Sequence, residues 1–191
     1  MKLVFIGHSI VRGYPYDMIR SFPFVVGEIL GEDCEVVNLG VNGETTAEIL
    51  RRFDNEALSE RPDAVFLMAG TNDFVFRTDN AEAAAELCRR MRLTAQEKGL
   101  RFVHVSPPPI DAELANDAWL GTGIAVYRMA QEDLGEFSEL LRLDAEQSGC
   151  GFVDCFHGYA AYDRYADGLH PTAEGQRLIA RLCLEWIKAN M

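Results

Sequence analysis

Four short polar segments carry side chains able to do acyl-transfer chemistry. Gly7-His8-Ser9 follows the first apolar run and offers a hydroxyl. Asp167-Gly168-Leu169-His170-Pro171 places a carboxylate three residues before an imidazole, across a glycine-containing turn. Asp167 can therefore reach one ring nitrogen of His170, which selects the tautomer whose other nitrogen accepts a serine proton. Gly70-Thr71-Asn72-Asp73 supplies an amide donor in Asn72. Gly40-Val41-Asn42-Gly43 supplies Gly40, whose N–H can approach a substrate oxygen closely. A nucleophile, a base, an orienter and oxyanion donors are the parts that acyl transfer needs. Each part also has a plainer reading. Ser9 and the Asp167–Pro171 run suit turns and helix caps, Asn72 suits a turn, and Gly40 suits an ordinary loop.

The elements that must position these segments are legible as alternating strands and helices. Leu3–Ile6, Glu35–Leu39, Ala64–Met68, Phe102–Val105 and Gly151–Asp154 are short, mostly apolar runs, the pattern of strands buried on both faces. A helix is expected from about Ser21, with Pro23 in its first turn and Gly31 past its end. Another follows the capping-box spacing of Thr45 and Glu48 and buries Ile49, Leu50 and Phe53. A third buries Ala84, Leu87, Cys88, Met91 and Ala95 and stops at Gly99; a long fourth carries Ala130, Leu134, Phe137, Leu141 and Ala145 and ends at Gly149. The last is expected to open at Pro171 and so to hold His170 at its entrance. His104 falls inside a strand and reads as a core histidine. Residues 107–123 begin with three prolines, show no periodicity and read as an irregular binding loop or lid.

This alternation predicts an α/β fold, a three-layer α/β/α sandwich with a five-stranded, mostly parallel sheet, in one domain over 1–191. In such sheets ligands bind beyond the carboxyl ends of the strands, which is where three of the four polar segments fall. Tyr14, Phe74, Phe76, Ile110 and Trp119 lie where they could wall a pocket or simply pack peripherally.

The 191 residues carry a net charge of −12. That field disfavours nucleic acid or an anionic membrane surface as the main partner and leaves a neutral small molecule open. No apolar run approaches the ~20 residues of a membrane span, and a cytoplasmic protein is the expectation. The five cysteines, Cys34, Cys88, Cys150, Cys155 and Cys183, form no CxxC pair and read as reduced packing residues. The oligomeric state is not legible.

Taken together the four segments resemble the blocks of the SGNH (GDSL-type) hydrolases, which contribute Ser, Gly, Asn and His in that order. The matches are Ser9 in Phe-Ile-Gly-His-Ser, Gly40 in Asn-Leu-Gly-Val-Asn-Gly, Asn72 in Gly-Thr-Asn-Asp and His170 in Asp-Gly-Leu-His-Pro. The resemblance spans nearly the whole chain. It implies a flavodoxin-like sandwich and cleavage of small carboxylic esters through an acyl-serine, without metal or organic cofactor. It further implies Ser9 as nucleophile, His170 as base, Asp167 as its partner, and an oxyanion hole of the Ser9 and Gly40 N–H groups with the Asn72 side chain. One departure is His8, where the family usually has Asp; a titratable imidazole there could compete for the serine proton or alter pH dependence. Other readings are a flavin or nucleotide binder on the same architecture, a non-catalytic acyl- or carbohydrate-binding relative, and an acyltransferase. The first is weakened by the lack of GxGxxG and GxxxxGK[ST] patterns.

Overall fold

The computed structural model describes residues 1–159 and 164–191. Five strands form one sheet: β1 (Lys2–Gly7), β2 (Glu35–Gly40), β3 (Ala64–Met68), β4 (Arg101–Val105) and β5 (Gly151–Val153). Their order is β2-β1-β3-β4-β5 and every neighbouring pair is parallel. This is the flavodoxin-like 2-1-3-4-5 order, whose switch point lies between β1 and β3.

Side chains on successive strand residues point to opposite faces, and that alternation sorts the core into two layers. Val4, Ile6, Val65 and Leu67 face one side, with Ile49, Met91, Leu134 and Phe137. There they meet α3 (Thr46–Arg52), a π-type turn (Phe53–Leu58), α5 (Ala81–Glu97) and α7 (Ile124–Ser148). Leu3, Phe5, Phe66 and Met68 face the other side, with Phe22, Val26, Ile179 and Cys183. These last come from α2 (Phe22–Leu30) and α9 (Ala173–Asn190). Strands covered on both faces explain the unbroken apolar runs. Short helices complete the chain: α1 (Ser9–Arg12), α4 (Thr71–Val75), α6 (Ala112–Ala118) and α8 (Cys155–Gly158).

Start and stop signals act largely as expected. Ser21 caps α2 by accepting from the Phe24 N–H, and the Thr45 N–H donates to Glu48 at 2.8 Å in the capping box of α3. Gly149 ends α7 in a left-handed conformation, φ +70°.

Three expectations are corrected. The segment 107–123 is not irregular throughout: Asp111 accepts from the Leu114 N–H and starts α6. Pro171 is not the first residue of the last helix. Thr172 is the N-cap, accepting from the Gly175 N–H, and Pro171 lies in an isolated antiparallel bridge with Tyr165. The Gly70–Asp73 loop is instead the opening of α4. Among the described residues, no helix is long and apolar enough to cross a membrane.

Candidate active site

The site forms at the carboxyl end of the sheet, where β1 and β3 hand the chain to helices. β1 ends in Gly7, paired with Gly40 on one side and Met68 on the other. A Cβ on Gly7 would lie 2.1 Å from the Met68 carbonyl oxygen, so only glycine lets the strands close up here. Directly beyond, Ser9 starts α1, and its N–H belongs to the helix's first turn, which has no intrahelical acceptor. Gln176 on α9 donates to the Ile10 carbonyl (3.1 Å) and accepts from the Phe22 N–H (2.8 Å). This fully buried amide ties the serine helix to the element that follows His170.

Ser9 Oγ stands 2.9 Å from His170 Nε2, and His170 Nδ1 stands 2.7 Å from Asp167 Oδ2. A carboxylate only accepts, so Nδ1 carries the hydrogen and Nε2 is left to accept from the serine hydroxyl. Asp167 also accepts from the N–H groups of Leu169 (3.1 Å) and His170 (2.8 Å), which curls the loop around its carboxylate. Burial opposes the charge on Asp167. The hydrogen bonds and nearness of His170 outweigh it, and the carboxyl is held below its ordinary range. The turn is braced by α6. Asp111 N–H donates to the Gly168 carbonyl (2.9 Å), and a Cβ on Gly168 (φ +85°) would lie 2.3 Å from Ala115 N.

A cavity of about 100 Å³ opens beside the serine, lined by Ser9, Tyr14, Asn42, Gly43, Asn72, Phe76, Trp119 and His170. The Tyr14 and Trp119 rings lie edge-on to the His170 ring, with centroids 4.6 and 5.9 Å away. Asn72 is oriented by donating from Nδ2 to the Glu44 carbonyl (2.8 Å), leaving the amide's second hydrogen for another acceptor. Its neighbour Asp73 is fully buried and accepts from the Thr46 N–H (3.0 Å) and hydroxyl (2.9 Å). Burial nevertheless pushes the Asp73 carboxyl up to about 6.

Gly40 does not reach this pocket. It is the last residue of β2, its N–H donates to Asn38 Oδ1 (2.9 Å), and a Cβ on it would lie 2.2 Å from Arg12 N. Its smallness serves the packing of β2 on α1. The glycine of this loop that lines the cavity is Gly43, with φ +82° and open space where a Cβ would go. The register that pairs Gly40 with Gly7 puts Gly40 inside the ladder and Gly43 in the loop above it. Of the five candidate wall residues, Tyr14, Phe76 and Trp119 line the cavity, whereas Phe74 and Ile110 are buried in the core.

His8 does not contend for the serine proton. Its Nδ1 accepts from the Ile10 N–H at 3.4 Å, a long cap on α1, and the ring is completely buried. Desolvation, with the charge of His170 adding to it, lowers His8 to about 3, so the ring is neutral at ordinary pH. His104 is a buried core histidine, 2.9 Å from Asp144.

A sandwich of this topology with a serine, histidine and aspartate in contact at its switch point has the construction of a serine hydrolase. The model of the GDSL-like lipase/acylhydrolase family matches residues 5–178, and the chain belongs to that family of carboxylic ester hydrolases. It is 24% identical to the acetylxylan esterase of Geobacillus stearothermophilus, across 99% of this chain and 97% of that protein. Among solved structures, a carbohydrate acetylesterase family member from Sinorhizobium meliloti superposes with a TM-score of 0.84, at 22% identity over 98% of this chain and 97% of that one. The aryl esterase of M. smegmatis gives 0.83 at 17% identity, over 100% and 99% of the two chains.

Proposed function

We propose that the protein hydrolyses esters of small acyl groups through an acyl-serine intermediate. The contact that carries this reading is Ser9 Oγ on His170 Nε2 at 2.9 Å, at the wall of the small cavity. His170 takes the hydroxyl proton as Ser9 Oγ attacks the ester carbonyl, and Asp167 stabilises the imidazolium that results. The oxygen that gains charge is received by the Ser9 N–H, the Gly43 N–H and the Asn72 amide. His170 then returns its proton to the departing alcohol, the C–O bond breaks, and the acyl group stays on Ser9. A water activated by the same imidazole releases the carboxylic acid and restores the serine.

The cavity supports a short acyl group. Its ~100 Å³ is smaller than the ~150 Å³ site that holds one benzene, and so suits an acyl chain of about four carbons or fewer. That size disfavours lysolipids. Acetylated carbohydrates and aryl acetates fit, in keeping with the acetylxylan esterase and aryl esterase among the chain's relatives. Initial rates on p-nitrophenyl esters from acetate to octanoate test the reading, with Ser9→Ala as the paired control. Serine-dependent turnover that peaks at acetate or butyrate is expected; an optimum at octanoate would overturn the acyl-size assignment.

A further inference from the structure

The proposed oxyanion donors come from three separate loops, and one guanidinium is bonded to two of those loops and bears on the third. Arg52, at the end of α3, is only 13% exposed and donates to five acceptor atoms on the site's side of the sheet edge and beyond. Its Nη2 reaches the Leu39 carbonyl (2.7 Å), the Gly7 carbonyl (3.3 Å) and Glu44 Oε2 (2.6 Å). Its Nε bonds both Glu44 carboxylate oxygens at 2.9 Å, and Nη1 reaches Glu56 at 2.9 Å.

Each inner acceptor sits next to a donor of the site. The Gly7 carbonyl, which also accepts from the Val41 N–H, lies two residues before Ser9. Glu44 follows Gly43 in the chain, and its own backbone carbonyl is the acceptor that orients Asn72. The Glu44 side chain is itself only 16% exposed, so the pair is shielded from competing water and salt.

We propose that Arg52 is a positioning residue for the reaction: clamped on Glu44 and on the ends of β1 and β2, it holds Gly43 and Asn72 where the developing oxyanion will stand. The inference rests on the ester-hydrolase reading above and adds a residue that touches no substrate. A lysine cannot replace it, because one ammonium lacks the planar fork that spans a carboxylate and two carbonyls together.

The test is kinetic, on wild type, Arg52→Lys, Glu44→Gln, Asn72→Ala and the Arg52→Lys/Asn72→Ala pair. Substrate is p-nitrophenyl acetate, and a small alkylboronic acid serves as a tetrahedral mimic of the transition state. Arg52→Lys should lower kcat by roughly 10–100-fold with KM held within about twofold, the size expected when reacting groups are misplaced by about 1 Å. Its Ki for the boronic acid should rise by a similar factor, and the double variant should lose less than the product of the two single losses. Glu44→Gln, which keeps the carbonyl on Asn72, should move both quantities in the same direction by less, and serves if Arg52→Lys does not fold. Ser9-dependent wild-type activity with full kcat in Arg52→Lys and Glu44→Gln would overturn the inference alone. So would a loss of kcat with the boronic acid Ki unmoved. Absence of Ser9-dependent turnover in wild type would remove the functional reading and this inference with it.

Discussion

Of the three close histidine–aspartate pairs among the described residues, His157–Asp154 is exposed at the surface, and the two shielded ones have opposite consequences. At the carboxyl end of the sheet, His170 meets Asp167 at 2.7 Å and turns its other nitrogen to Ser9 at the wall of a cavity. Within the layer formed by β4, α5 and α7, His104 meets Asp144 at 2.9 Å, but its other nitrogen, Nδ1, has no partner among the described residues. Asp144 also accepts two bonds from Arg92, at 2.7 and 2.9 Å, and one from Arg89 at 3.2 Å. Burial opposes charge on Asp144, yet the hydrogen bonds of His104 and Arg92 prevail and hold it well below the usual range; burial also lowers His104, which stays neutral.

The difference lies in what surrounds each pair. Among the described residues Asp167 has one side-chain partner, so its charge is available to an imidazolium forming on His170. Asp144 is already neutralised by arginine, and a proton arriving on His104 would find two guanidinium groups nearby. Cys150 lies close enough that its sulfur, a His104 nitrogen and an Asp144 oxygen fall within 4.8 Å of one another. Those arginines make the cluster equally unwelcoming to a cation. A histidine–aspartate contact becomes an acid–base device only where a nucleophile and space for a substrate face the free nitrogen.

The largest contrast between the pairs should appear in turnover. Ser9→Ala or His170→Ala is expected to reduce kcat by about 10⁴–10⁶-fold while circular dichroism and melting stay near wild type. Asp144→Ala should do the reverse, costing about 3–5 kcal/mol in urea unfolding because Arg92 is left buried and unpaired, with kcat per folded molecule unchanged. A large kcat loss in a folded Asp144 variant would erase the distinction.

Next in size, Asn72→Ala should lower kcat by roughly 10²–10³-fold with a small change in KM, measured on an acetate ester. Asp73 sharpens the comparison through stability. Its folded value of about 6 lies above its ordinary 3.8, so the folded state holds the proton more tightly than the unfolded one. The stability this gives is complete below pH 3.8 and is lost as pH rises through 6, a change on the order of 3 kcal/mol. Unfolding free energies of wild type and Asp73→Asn between pH 4 and 8 should therefore diverge across that window; parallel curves would contradict the assignment. The smallest effect on catalysis is expected at His8. His8→Ala removes a fully buried ring as well as a long capping bond, costing about 2–4 kcal/mol of stability, but should leave the shape of the pH–rate profile unaltered because the ring is already neutral.

Much of this architecture is legible in the residues. The apolar runs give all five strands because β1 and β3 are covered on both faces, and Pro23, Gly31 and Gly149 punctuate helices as their backbone chemistry requires. Ser9, Asp167, His170 and Asn72 are brought together because each follows a strand end or precedes the last helix. Gly40 and Gly43 could not be told apart so easily. Both sit in one glycine-containing turn, and only the pairing of Gly40 with Gly7 shows that the ladder still continues there. α6 is a seven-residue helix, too short for a hydrophobic period to emerge, although Asp111 three residues before Leu114 was its capping signal. Pro171 stands one residue ahead of the true cap, Thr172, because the chain first makes a bridge to Tyr165. Arg52 gives no sequence signal, since its role depends on carbonyls from two other strands.

The central claim is that Ser9 is the nucleophile, and covalent trapping tests it most directly. The protein would be treated with a small alkyl fluorophosphonate, digested and mapped by mass spectrometry, beside Ser9→Ala. A single phosphonyl adduct on Ser9, absent from the variant, with Cys150 beside the second histidine–aspartate pair unmodified, is the result expected. An adduct on another residue, or an unlabelled Ser9 in folded wild-type protein, would contradict the account.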